Sequence, residues 1–205
     1  GYPMKIKTLP MGSIGTNCYV VSDDAGNAVI IDCDGDPRPL YFYISENNLT
    51  PTHILLTHGH YDHIGAVAAV KEQYGCKVIA GKDEIRVLTD PAVNCSVFCG
   101  GEITVFPDEL VSDGDSITVG DMKFEVLFTP GHTEGSLCYI IEDIIFSGDT
   151  LFQGSCGRTD LATGDWSTIL RSLKILRDLP GDYTVYPGHG PSTTLGIERS
   201  SNPYM

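Results

Sequence analysis

Four side chains able to ligate a metal ion, His58, His60, Asp62 and His63, fall within six consecutive residues of the segment Thr57-His58-Gly59-His60-Tyr61-Asp62-His63. Immediately before it, Ile54, Leu55 and Leu56 form an apolar run as short as a buried strand. After it, Ile64, Val67 and Ala68 recur at helical spacing, and Gly75 stops the pattern, which predicts a helix over Ile64–Tyr74. A chain written this way has to bring a buried strand to an end in a polar loop and turn at once into a helix. In extended backbone, residues two apart point the same way, so His58 and His60 converge on one point. Asp62 and His63, at the start of the helix, turn toward a neighbouring point. A helix N-terminus capped by Asp62, with exposed histidines, would account for a lone His-x-His. The density of ligand types argues against that simpler reading.

The remaining histidines reinforce it. His132 follows Thr129-Pro130-Gly131, and His189 follows Pro187-Gly188, each just beyond a predicted strand. Asp149, in Ser147-Gly148-Asp149-Thr150, follows the apolar run Ile144-Ile145-Phe146 in the same manner. Loops at strand ends are where catalytic groups gather. Only His53, beside Pro51 within a strand, reads as structural. Imidazole and carboxylate ligands without thiolate suit zinc first, and iron or manganese next, in a catalytic rather than a structural site.

Elsewhere, β-branched and aromatic residues predict strands at Lys5–Leu9, Cys18–Ser22, Ala28–Asp32, Lys77–Ala80 and Tyr183–Tyr186. Short β-rich runs from Ile103 to Ile145 are punctuated by Ser112-Asp113-Gly114, Gly120-Asp121 and Pro130-Gly131. Pro39–Asn47 reads as a short helix. Asp165–Leu179 is the clearest one, with Ile169, Leu170, Leu173, Leu176 and Leu179 on one face and Pro180-Gly181 as its stop. Two strand-rich halves, each closed by helices, predict an α/β fold of two facing sheets with helices outside.

With 205 residues the chain reads as one domain over residues 4–205, and Gly1, Tyr2 and Pro3 ahead of Met4 read as a remnant of expression. The net charge of -14 would repel a phosphate backbone, which excludes nucleic acid as a partner. No apolar run reaches the length of a membrane span and no apolar leader is seen, so the expectation is a cytoplasmic protein without a membrane partner. The seven cysteines form an odd, scattered set, as expected of reduced thiols. Cys95, Cys99 and Cys156 read as loop or packed thiols and stay outside the predicted site.

At these residues the sequence resembles the metallo-β-lactamase fold superfamily, whose signature is His-x-His-x-Asp-His followed by a His, a bridging Asp and a final His. The resemblance implies an αββα sandwich of two mixed sheets. It implies one metal held by His58, His60 and His132, a second by Asp62, His63 and His189, and Asp149 between them. Asp32 matches an Asp that ends an early strand in this superfamily and supports the His-rich loop by hydrogen bonds. Two divalent cations about 3.5–4 Å apart make hydroxide from water near neutral pH and polarise a carbonyl, so hydrolysis follows without a Ser or Cys nucleophile. Asp62 then doubles as the residue that orients the water or accepts its proton.

Gly148-Asp149-Thr150-Leu151-Phe152, followed by Gly154-Ser155-Cys156-Gly157-Arg158-Thr159-Asp160-Leu161, is similar to the glyoxalase II branch, in its short form without a helical C-terminal domain. That branch implies a small-molecule acyl thioester as substrate, typically an S-2-hydroxyacyl glutathione. Arg158 falls where a basic residue of glyoxalase II contacts the glutathione carboxylate, and Asp160 replaces the Tyr found there. The rival within the superfamily is a persulfide dioxygenase using one iron, which shares the Gly-Arg-Thr-Asp segment. A non-catalytic binding module would lack ligands that are all present here. The sequence leaves the oligomeric state open.

Overall fold

A computed structural model of the protein describes residues 4–205. The reading of Gly1, Tyr2 and Pro3 as a remnant lies outside the described residues. The first half of the chain builds a six-stranded sheet in chain order: β1 (Met4–Met11), β2 (Thr16–Asp23), β3 (Asn27–Ile31), β4 (Thr50–Leu55), β5 (Lys77–Gly81) and β6 (Glu109–Val111). The first three strands pair antiparallel, and β3 to β6 run parallel. Parallel neighbours need crossover connections. These are α1 (Arg38–Glu46), the pair α2 (Tyr61–Ile64) and α3 (Val67–Tyr74), and α4 (Ile85–Thr89), the last preceded by a single 3-10 turn at Lys82–Glu84.

The second half forms a second mixed sheet from β7 (Ser116–Val119), β8 (Met122–Phe128), β9 (Leu137–Ile141), β10 (Ile144–Gly148), β13 (Thr184–Pro187) and β14 (Thr193–Thr194), in the order β14-β13-β10-β9-β8-β7. A small hairpin, β11 (Leu151–Phe152) with β12 (Ser155–Cys156), leaves β10 before α5 (Trp166–Arg177) crosses to β13. A last helix, α6 (Leu195–Ser201), follows β14. None of the helices among the described residues is long and apolar enough to cross a membrane.

Period-two alternation sorts each strand between two cores. Tyr19, Val21, Val29, Ile31, Leu55 and Ile79 meet Phe124, Val126, Leu137, Tyr139 and Phe146 between the sheets. Their neighbours Cys18, Val20, Ile30, Ile54, Leu56 and Val78 face the other way, against Leu40, Ile44, Val67, Val70 and Leu88 of the helices. On the second sheet Cys138, Ile145 and Val185 pack under Ile169, Leu173 and Leu176 of α5 and Leu195 of α6. The result is the predicted αββα sandwich, with both faces of both sheets covered. This is why β2 and β3 read as near-continuous apolar runs.

The five strands predicted from β-branched and aromatic residues are present with ends displaced by no more than two residues, and the Ile54-Leu55-Leu56 run lies at the end of a longer strand that starts at Thr50. Two expectations need correction, and two helices had none. The helix expected over Ile64–Tyr74 starts at Tyr61 and is broken at Gly65-Ala66. There His63 gives its carbonyl to the Cys33 N–H and Ala66 donates to the Cys33 carbonyl, so the chain docks on the end of β3 instead of continuing its helical ladder. Ile103–Asp108 is loop, and the β-rich stretch starts only at Glu109. Finally, α4 and α6 had no sequence expectation, because each is too short to show a period.

Candidate metal centre

The parallel β10 and β13, and β8, which runs with them because β9 is antiparallel to both β8 and β10, end on one edge of the second sheet. Their C-terminal loops carry His132, Asp149 and His189. The loop after β4 brings His58, His60, Asp62 and His63 from the first sheet to the same edge. All seven predicted residues therefore meet at one end of the sandwich, as two groups of side chains within ligating reach of one another: His58, His60 and His132, and Asp62, His63, Asp149 and His189.

Asp149 joins the groups. Its Oδ2 lies 3.7 Å from His58 Nε2, 3.4 Å from His132 Nε2 and 3.5 Å from His189 Nε2, and its Oδ1 lies 3.2 Å from His63 Nε2. Asp62 Oδ2 accepts from His189 Nε2 at 2.9 Å and from Thr16 Oγ1 at 3.1 Å. The backbone makes room for this crowding. A Cβ on Gly188 would collide with Asp149 Oδ1 and come 2.7 Å from His63 Cε1, and one on Gly157 would collide with the Asp149 carbonyl.

Hydrogen bonds on the far side of the rings turn lone pairs inward. His63 Nδ1 donates to Asp32 Oδ2 at 2.7 Å. His132 Nδ1 donates to the Arg158 carbonyl at 2.8 Å. Thr57 Oγ1 donates to Asp32 Oδ2 at 2.6 Å and accepts from His58 Nδ1 at 3.1 Å. A donor bond at one ring nitrogen fixes the tautomer and leaves the other nitrogen as a ligand. Asp32 also accepts the Thr57 N–H at 2.9 Å, so its carboxylate is bonded to the His-rich segment at both Thr57 and His63.

The residues fit divalent cations. His58 Nε2, His60 Nε2, His63 Nε2 and Asp149 Oδ1 are buried and make no hydrogen bond among the described residues. Such atoms are costly unless something positive faces them. His60 Nδ1 lies 3.0 Å from His132 Nε2, a separation at which two lone pairs repel unless a proton or a cation lies between. Burial, then the neighbouring rings, holds His58 well below the usual imidazole range and His60 down at about 3, so these two rings present neutral nitrogens. Around His63 burial also disfavours charge, but Asp149, Asp62 and Asp32 outweigh it and hold the ring above its usual range. His189 is likewise pushed up to about 9, because Asp149 and Asp62 outweigh its burial. The second group is a carboxylate-rich seat for positive charge.

The centre floors a cavity of about 660 Å³. Ile14, Phe98, Phe152 and Leu161 give it an apolar wall, and Arg158 stands at its edge. The guanidinium is exposed and pairs with Asp160 at 2.6 and 2.8 Å. Cys95, Cys99 and Cys156, which the sequence keeps outside the site, also line the cavity. Burial raises the Cys95 and Cys156 thiols above their usual range, so neither is an activated thiolate. His53 stays in β4, away from the centre, bonded to its neighbour Thr52. All seven cysteines are free thiols. Sequence reasoning missed two contributors: Thr16, and Glu84 on the 3-10 turn after β5. A lone Thr or Glu carries no ligand spacing to betray it.

Comparison with known proteins agrees with this geometry. Residues 11–189 match the family described as the metallo-beta-lactamase superfamily. The chain is 40% identical to the probable metallo-hydrolase YqgX of Bacillus subtilis (strain 168), over 98% of both chains. It is 35% identical to the hydroxyacylglutathione hydrolase GloC of Haemophilus influenzae, again over 98% of both. Among solved structures, BLEG-1, a B3 metallo-beta-lactamase, superposes with a TM-score of 0.91 at 44% identity, covering 98% of this chain and 99% of that one. TTHA1623 in a di-iron-bound form gives 0.87 at 34% identity, covering 97% and 100%. With the two facing mixed sheets and the His/Asp groups at their common edge, the chain belongs to the metallo-β-lactamase superfamily.

Proposed function

We propose that the protein is a metal-dependent hydrolase of acyl thioesters, S-2-hydroxyacyl glutathione-like compounds among them, with the two ligand groups each holding one divalent cation, zinc by preference. The observation that carries this reading is Asp149, within 3.7 Å of ring nitrogens from both groups and so placed to lie between two cations. Cations bound there supply Lewis acidity, which activates water and polarises a carbonyl. The chain supplies the rest. Asp62 uses Oδ2 for Thr16 and His189, which leaves Oδ1 to orient a water and take its proton. As the water oxygen adds to the thioester carbonyl and the C–S bond breaks, that proton passes to the departing thiolate, which leaves as the free thiol. Burial keeps Cys95 and Cys156 protonated, so neither of these cavity thiols competes as nucleophile. The apolar wall shelters the acyl group, and Arg158 at the edge meets a carboxylate of the carrier once it leaves Asp160. The relative GloC, a hydroxyacylglutathione hydrolase, supports this choice of substrate.

The test is a turnover screen of acyl thioesters, lactones and β-lactams with zinc-, iron- and manganese-loaded protein. Thioester hydrolysis well above the other classes is expected. Preferred lactone or β-lactam turnover overturns the substrate, and one bound iron with oxygen uptake on a glutathione persulfide overturns hydrolysis itself.

A further inference from the structure

Every ligand in the trio His58, His60 and His132 sits one residue from a hydrogen-bond partner of a single buried carboxylate. Gly59, between His58 and His60, donates its N–H to Glu84 Oε2 at 2.7 Å. Thr133, next to His132, donates its hydroxyl to the same oxygen at 2.7 Å. Gly135 donates its N–H to Oε1 at 3.1 Å. Glu84 is 1% exposed, and among the described residues no Lys or Arg pairs with it.

A carboxylate in such a place costs far more to bury than an apolar side chain of the same size. Burial pushes its carboxyl up to about 8 even though three donors pull the other way. Local packing does not need it, since Val87 and Leu88 of α4 are fully buried already. What the carboxylate does is join two loops that come from different sheets. The backbone around it is shaped for the purpose: a Cβ on Gly59 would come 2.8 Å from Leu88, and one on Gly135 would collide with the Glu84 backbone. The segment over residues 82–89 is therefore wedged against both ligand-bearing loops, with the carboxylate in the seam. On the other side of the centre Asp32 has the corresponding place, bonded to His63 and to Thr57.

We propose that Glu84 is the positioning residue of the His58/His60/His132 trio, setting the separation of the two loops and with it the geometry and affinity of that metal position. The proposal rests on the metal-centre reading but not on the identity of the substrate, so metal binding tests it even if no thioester is turned over.

The experiment is competitive cobalt(II) titration of the metal-stripped full chain, with visible absorption of the bound ion and thermal melting of the metal-free protein alongside. Glu84→Ala should weaken one of two binding steps by about 10–100-fold and alter the cobalt ligand-field bands, as loss of a buried supporting carboxylate does. Thr133→Val, which removes one of the three bonds, should weaken the same step less. Glu84→Gln, which keeps an acceptor for the loops, should restore part of the loss at equal melting temperature. Wild-type affinity and spectrum in folded Glu84→Ala and Thr133→Val overturn the proposal. So does a loss shared equally by both steps that simply follows the melting temperature. If Glu84→Ala does not fold, wild-type binding in both Thr133→Val and Glu84→Gln is the overturning result.

Discussion

His63 Nδ1 lies 2.7 Å from Asp32 Oδ2, with both side chains closed to solvent. Asp32 stands one residue past β3 in the left-handed region, at φ 55°, a conformation Asn adopts as readily as Asp. Asp32→Asn therefore alters the carboxylate and leaves the backbone unstrained. It should lower metal affinity about 10–100-fold by loosening His63 and Thr57. Calorimetric titration of zinc into the stripped variant checks this; unchanged affinity would remove Asp32 from the centre.

His60→Ala and Asp149→Ala should each abolish hydrolysis and lose bound metal, while far-ultraviolet circular dichroism stays that of the parent. Both side chains point into the cavity and neither belongs to a hydrophobic cluster of the fold. A variant with full turnover and full metal content would contradict the dinuclear assignment.

Gly188→Ala offers a test by intrusion. Its added methyl would meet Asp149 Oδ1 and His63 Cε1, so it should displace ligands without removing any. Metal content per chain should fall below that of the parent. An alanine variant that crystallises with ligands unmoved and binds metal normally would refute the crowding argument.

Arg158→Ala should raise KM for a carboxylate-bearing thioester with little change in kcat, because the guanidinium stands at the cavity edge and away from the ligand groups. Its only side-chain partner among the described residues is the exposed Asp160, so melting temperature should not move. Comparing a charged with an uncharged thiol carrier is the decisive measurement. An equal KM rise for both carriers would mean that Arg158 does not read charge.

Glu84 makes a pH prediction. Its folded carboxyl is pushed up to about 8 by burial, above the ordinary value of 4.5, so folding favours the protonated form. Its contribution is full below pH 4.5 and is lost as pH rises through about 8. Between pH 5 and 8.5 the metal-free parent should lose stability relative to Glu84→Gln, by on the order of a few kcal/mol. Urea denaturation of both proteins across this range measures it; parallel curves would show that Glu84 titrates normally.

The seven clustered residues were legible in the sequence because ligand chemistry restricts residue types, and because a ligand loop has to start where a buried strand stops. Ile54-Leu55-Leu56 before the His-rich loop, and Ile144-Ile145-Phe146 before Asp149, mark those stops. The facing sheets were legible too, since two strand-rich halves, each closed by helices such as the amphipathic one over Trp166–Arg177, leave few other ways to bury the apolar faces. What only the tertiary structure decided is whatever depends on contact between remote segments. The break at Gly65-Ala66 comes from backbone bonds to Cys33, the place of Cys95 and Cys99 in the cavity wall from the path of a loop, and the role of Glu84 from the meeting of two sheets. None of these leaves a local period or spacing, because a hydrogen bond between distant loops constrains one residue at each end and nothing between.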